Sequence, residues 1–251
     1  MIYLSFASVS LLMLTHLLVG RMHLLEREPC RSVGAGVAMS YVFLDILPHL
    51  SSKQDALQHA VGTGFGVFLV HHSYLLALAG FTIYFGLANM MKASRTDQAM
   101  IEERCKPRLT LHVRVLAFAV YCFLIGYLIG QQSEHRYEPV IIFALAMTIH
   151  MAGVAHTVRG QISRFYDQIV RYVLAGGTLA GWLLGIVTSI PDAIFALVFS
   201  FFVGAIMIVA FVYELPVVIG GRRYWFFVAG VTGFSALLLL YEELAKIELS
   251  A

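Results

Sequence analysis

Tyr41-Val-Phe-Leu-Asp45-Ile-Leu-Pro48-His49 and Ala210-Phe-Val-Tyr-Glu214-Leu-Pro216 read alike: each closes a long apolar run with an acid shortly ahead of a proline. The rest of the chain supplies the setting. Of 251 residues, 59% are hydrophobic and 13% are charged, against about 25% charged in an ordinary soluble domain. The charges gather in short islands between long apolar runs, which is the pattern of a chain that meets lipid. An acid within such a run is costly and marks a functional position by default.

Other classes fall away quickly. The net charge is +2, and no basic stripe is interleaved with aromatics, so no nucleic-acid partner is expected. Cys30 and Cys105 lie in polar stretches and Cys122 inside an apolar run, so free thiols are expected, not a disulfide framework. No Lys or Arg precedes Leu18, so the first apolar segment lacks the positive start of a cleaved signal and is expected to stay as a helix. No phosphate loop, nucleophile elbow or zinc-protease motif occurs.

The apolar runs predict eight membrane-spanning helices over 2–20, 32–50, 59–91, 110–130, 138–158, 168–189, 191–216 and 224–244. The fold class is therefore all-α: a polytopic membrane protein forming a single transmembrane domain over 1–251, with 92–109 as a polar cytoplasmic loop between helices three and four. The short turn at Thr188-Ser189-Ile190-Pro191-Asp192 requires helices six and seven to form an antiparallel hairpin. Orientation follows from Lys and Arg. One side holds thirteen: Arg21, Arg27 and Arg31; Lys92, Arg95, Arg104, Lys106 and Arg108; Arg159, Arg164 and Arg171; Arg222 and Arg223. The other holds three, Lys53, Arg136 and Lys246, while Arg114 lies inside helix four. Odd-numbered loops are thus cytoplasmic, and both termini face outward from a plasma or inner membrane.

With that orientation helix two runs outward and helix seven inward. Their shared ending then reads as an inverted repeat of three helices, an architecture of secondary transporters with the site between the repeats.

Val37-Ala-Met-Ser-Tyr-Val-Phe-Leu-Asp-Ile-Leu-Pro48 resembles the second helix of ZIP (Zrt-, Irt-like) metal transporters, whose run usually ends His-Leu-Leu-Pro-Glu. Asp45 stands at the His place and His49 at the Glu place. The Glu214-Leu-Pro216 ending is similar to that family's Asp/Glu-Leu-Leu-Pro-Glu, one position nearer its proline. The family's fourth-helix His-Asn-x-x-Glu/Asp-Gly frame falls on Tyr121, Cys122, Ile125 and Gly126. Its fifth-helix His-x-x-Pro-Glu-Gly frame falls on His150, Gly153, Val154 and Ala155. The resemblance spans nearly the whole chain but is specific only at helices two, four, five and seven. It implies eight helices in a 3+2+3 arrangement with inverted three-helix repeats. It also implies a diverged site without the family's carboxylate-bridged two-metal centre.

The candidate metal-site residues are His150, Cys122, Tyr121, Asp45, His49 and Glu214. His150 and the Tyr121–Cys122 pair share a depth on consecutive helices. They form either a soft nitrogen–sulfur ligand set or a buried histidine bonded to the Tyr121 hydroxyl with Cys122 as packing. Asp45 and His49, four apart on one face, form either an outer entry site or a wetted helix end. Glu214 is either an exit ligand or an interfacial partner of Arg222 or Arg223. His71 and His72 point to different faces of helix three, so at most one faces the bundle interior, while His112, His156 and Arg114, at the cytoplasmic ends of helices four and five, read as interfacial. His16, His23 and His59 carry little weight. Gly177, Gly181 and Gly185 form a small-residue ridge for close helix approach.

These features predict a divalent metal ion transporter, zinc or a related ion, with an altered site. A bound zinc or other divalent ion and the lipid bilayer are the expected partners, and no resident cofactor is required. A homodimer is compatible with the chain. One alternative is a non-transporting homologue of the same fold acting as a metal sensor or structural partner. A membrane haem or zinc enzyme ranks last, because no histidines pair on one helix in a haem-like arrangement. An enzyme is not expected.

Overall fold

The structure, a computed structural model, describes residues 2–22, 27–51, 73–98, 107–132, 140–188, 190–218 and 220–250. Every element among them is a helix. Helix α1 is Ile2–Leu18, extended by a 3-10 turn at Val19–Arg21. Helix α2, Glu28–Tyr41, opens with Pro29 in its first turn, where a missing N–H costs nothing. It continues through a π turn at Val42–Ile46 to Ser51. Then come α3, Ser73–Gln98; α4, Pro107–Gln132; and α5, Val140–Gln161. Helix α6, Arg171–Val187, is entered through a second π turn at Tyr166–Val170. Helix α7, Asp192–Tyr213, is followed by a short turn of helix at Leu215–Val218 and by α8, Gly221–Ser250.

Among the described residues six segments are long and apolar enough to cross a membrane: Ile2–Arg21, Glu28–Ser51, Val140–Gly160, Tyr166–Val187, Ile194–Tyr213 and Gly221–Glu243. Helices α3 and α4 carry shorter apolar stretches, Ser73–Asn89 and Val115–Gln131. The stretch from His59 to His72, expected to begin the third helix, lies outside the described residues. The polar loop expected over 92–109 is partly helical: α3 runs on to Gln98 and α4 begins at Pro107.

The surface is the reverse of a soluble protein's. Tyr3, Val187 and Trp225 are largely exposed, whereas His16, Gln131, His150 and Glu214 are buried. An apolar coat around a largely apolar interior that holds a few buried polar side chains suits embedding in a membrane, where each backbone group must be satisfied within its own helix. Hydroxyls follow the same rule: Ser8, Thr15, Thr178 and Ser200 each bond the carbonyl four residues earlier.

Three helix pairs make the most extensive interfaces: α4 with α6, α3 with α7, and α2 with α8. Each closes on glycine. Gly177, Gly181 and Gly185 of α6 seat on Ala119, Phe123 and Tyr127 of α4. Both sets step by four in the same direction, so the two helices run parallel, and the ridge seen in the sequence is the contact itself. An added methyl at Gly36 would strike the α8 backbone at Phe227 and Val231, and one at Gly80 would strike α7 at Phe201. Helix α5 packs on α1 and α2, with Phe143, Met147 and His150 fully buried.

Candidate functional site

Proline organises the site. Pro216 offers no N–H to the carbonyl four residues back and its ring crowds that turn, so α7 ends at Tyr213. Glu214 follows as the cap, with φ −107°. The break turns the Glu214 side chain inward, where it is only 4% exposed. There its Oε1 lies 3.0 Å from Nδ1 of His150 on α5. The other ring nitrogen, Nε2, lies 2.9 Å from the Tyr121 hydroxyl on α4. Tyr121 is itself wedged against Phe202 and Tyr84, with ring centres 5.6 and 5.7 Å away. Three helices thus hold one Tyr–His–Glu chain in the bundle interior. With the carboxylate accepting Nδ1–H, a neutral His150 accepts the Tyr121 proton at Nε2.

The second carboxyl oxygen, Oε2 of Glu214, is buried with no hydrogen-bond partner among the described residues. Glu214 lines a cleft of about 450 Å³ between α2, α5, α7 and α8. Arg31 and Gly34 line one side, Gly153 and Thr157 another, and Cys30 lies where α2 begins. Gly153 makes room for the carboxyl: a Cβ there would stand 3.0 Å from Oε1. A carboxylate that lines a cleft, with an imidazole bonded to it, can take a cation or relay a proton.

The remaining predicted residues distribute themselves differently. Asp45 lies in the π turn of α2, which Pro48 explains in the same way that Pro216 explains the break in α7: the Leu47 N–H reaches back to Val42 instead of one residue less. His49 Nδ1 is 2.7 Å from the Asp45 carbonyl and 3.9 Å from its carboxyl. Cys122 does not join His150; its Sγ is 3.5 Å from Nε2 of His16 on α1. The ion pair proposed between Glu214 and Arg222 or Arg223 gives way to burial, and Arg223 instead holds Glu28, Nε to Oε2 at 2.7 Å. His112 lies beside Phe165, and His23, His59, His71 and His72 fall outside the described residues. Among the described residues no three His, Cys, Asp or Glu side chains converge as a metal cluster.

Sequence reading missed two partnerships. The Glu214–His150 bond spans 64 residues and depends on the direction in which the proline break turns the acid. His16 lies 106 residues from Cys122, near the end of its helix. Shared depth on adjacent helices was a usable signal for Tyr121 and His150, but no comparable signal existed for the other two. No protein-family model, curated protein or solved structure matches the chain.

Proposed function

We propose that the chain crosses the membrane eight times, both termini outward, and acts as a divalent cation permease, with zinc or a related ion as cargo held by His150 and Glu214. The observation that carries this reading is the buried His150–Glu214 pair, whose Glu214 lines an open cleft. Zinc bonds to nitrogen and oxygen run at about 2.0–2.2 Å, which sets two tetrahedral ligand atoms about 3.4 Å apart. The observed 3.0 Å needs little widening once an ion replaces the shared proton. The cleft leaves room for water to complete the coordination. The charge asymmetry of the loops supports a cytoplasmic mouth, and the irregularities ahead of the two prolines, a π turn in α2 and a break after α7, support inverted repeats in a ZIP-like 3+2+3 arrangement. Asp45 and His49 stand on the opposite, outer end of α2 as the entry pair.

Flux of zinc, manganese and iron(II) into proteoliposomes tests this. Glu214→Gln keeps a carbonyl to accept the His150 proton but loses the charge, so it should reduce flux by at least about tenfold, the size of a lost charged ligand contact, without loss of folded protein. Unchanged flux in Glu214→Gln and His150→Ala overturns the assignment.

A second reading rests on the Tyr121 bond. It occupies the remaining nitrogen of His150 and fastens the imidazole, as a non-transporting homologue would require. No flux of any of the three ions through folded wild-type protein, together with tight zinc binding, favours this sensor or structural role.

A further inference from the structure

A second polar site lies apart from the cleft, where α1, α4 and α6 meet. Cys122 and His16 are each 1% exposed. Their Sγ and Nε2 stand 3.5 Å apart, and Nδ1 of His16 is buried with no hydrogen-bond partner among the described residues. Thr178 of α6 lies beside the thiol, with its own hydroxyl proton committed to the Leu174 carbonyl. A thiol and an imidazole facing each other in an apolar interior are a poor structural bond, because sulfur is a weak hydrogen-bond partner. They are a good pair of soft ligands.

We propose that His16 and Cys122 bind one soft monovalent d10 cation, Cu(I) or Ag(I), in two-coordinate geometry. Three observations select that class. The first is ligand number: no third His, Cys, Asp or Glu converges here among the described residues, and monovalent d10 ions are content with two ligands in line, whereas zinc asks for four. The second is distance: an ion held in line by bonds of about 2.3 Å to sulfur and about 2.0 Å to nitrogen, the lengths zinc shows, needs the two atoms about 4.3 Å apart, about 0.8 Å beyond the 3.5 Å spacing. The third is charge. When the ion binds, the Cys122 S–H bond breaks, a sulfur–metal bond forms, His16 donates its Nε2 lone pair, and the proton leaves to solvent. One positive charge enters and one leaves, so the low-dielectric interior stays neutral. A divalent ion bound the same way would leave a net charge among buried apolar residues, at a large cost. The site is independent of the permease reading, since it shares no residue with the His150–Glu214 pair.

The test uses the full chain in detergent or nanodiscs, carrying Cys30→Ser and Cys105→Ser so that Cys122 is the remaining thiol. Ag(I) and Cu(I) are titrated against a competing chelator, with proton release followed in weak buffer and the bound ion examined by X-ray absorption. The expected result is one ion per chain, one proton released per ion, and a shell of one sulfur and one nitrogen. His16→Gln and Cys122→Ser should each weaken binding by more than the roughly 10–100-fold that loss of a ligand's outer hydrogen-bond partner costs. His112→Gln, at an exposed histidine with no part in either site, should leave it unchanged. If Cys122→Ser does not fold, Cys122→Ala takes its place, and the absorption spectrum of the parent protein decides on its own. Absence of binding to folded protein, a shell without nitrogen, indifference to His16→Gln, or equal affinity for Zn(II) overturns the proposal.

Discussion

At the scale of single residues, the Tyr121–His150–Glu214 chain separates fastening from chemistry. The Tyr121 hydroxyl satisfies a buried ring nitrogen 2.9 Å away; its removal leaves that nitrogen unpaired in a site that excludes water. Tyr121→Phe is therefore expected to lower the stability of the detergent-solubilised protein by about 1–3 kcal/mol, read as a lower thermal midpoint. An unchanged midpoint would mean the bond contributes nothing to the fold. Much of this site was legible in the chain. The equal depth of Tyr121 and His150 on consecutive apolar runs led to their pairing, and the acid before Pro216 stood out as a costly residue. What could not be read was direction. Whether Glu214 faced the rim cations or the bundle depended on how α7 unwinds at its proline, and that geometry lies in three dimensions, not in residue spacing. The partner of Cys122 was not legible either: His16, near the end of its helix and 106 residues away, gave no signal of depth, and helix packing brought the two together.

At the scale of elements, glycine sets how closely the helices approach, and it does so unevenly. Gly181 of α6 faces the backbone of α4 at Phe123, whereas Gly176, on the same helix, has nothing within 4 Å of where a Cβ would sit. The two positions predict opposite outcomes. Gly181→Val must push α4 and α6 apart and should destabilise by about 1–3 kcal/mol or more, as overpacking does. Gly176→Ala should be neutral or gain up to about 1 kcal/mol from the better helix former. Melting the two variants side by side in one detergent checks both; equal midpoints would show that the α4–α6 contact does not limit stability. The ridge at Gly177, Gly181 and Gly185 was plain in the sequence because its period of four survives in the packed structure. On α4 the contact is mixed: the backbone of Ala119, Phe123 and Tyr127 meets those glycines, while Gly126 and Gly130, also four apart, meet the backbone of Thr178, Trp182 and Gly185. Helix limits were less legible where polar residues continue a helix past the apolar run, as α3 does to Gln98.

At the scale of the molecule, the question is which side of the membrane the cleft faces, because that decides where a cation would enter or leave. Cys30 is exposed and stands at the edge of the cleft beside Arg31, in the first of the loops that carry thirteen of the seventeen Lys and Arg residues. Cationic loops resist translocation, so the proposed orientation puts this edge in the cytoplasm. In that orientation Tyr3, 90% exposed at the far end of α1, lies outside. In a Cys105→Ser background, with buried Cys122 shielded, a membrane-impermeant maleimide should therefore leave Cys30 unmodified in intact cells and label it once they are permeabilised. With Cys30→Ser added, Tyr3→Cys should be labelled without permeabilisation. The two positions must report opposite sides if α1 crosses the membrane at all. Labelling of both from outside would mean that α1 does not span, and labelling of Cys30 alone would invert the orientation. In the inverted case the His150–Glu214 pair would face the exterior, and the cleft would be an entrance for the cation in place of an exit.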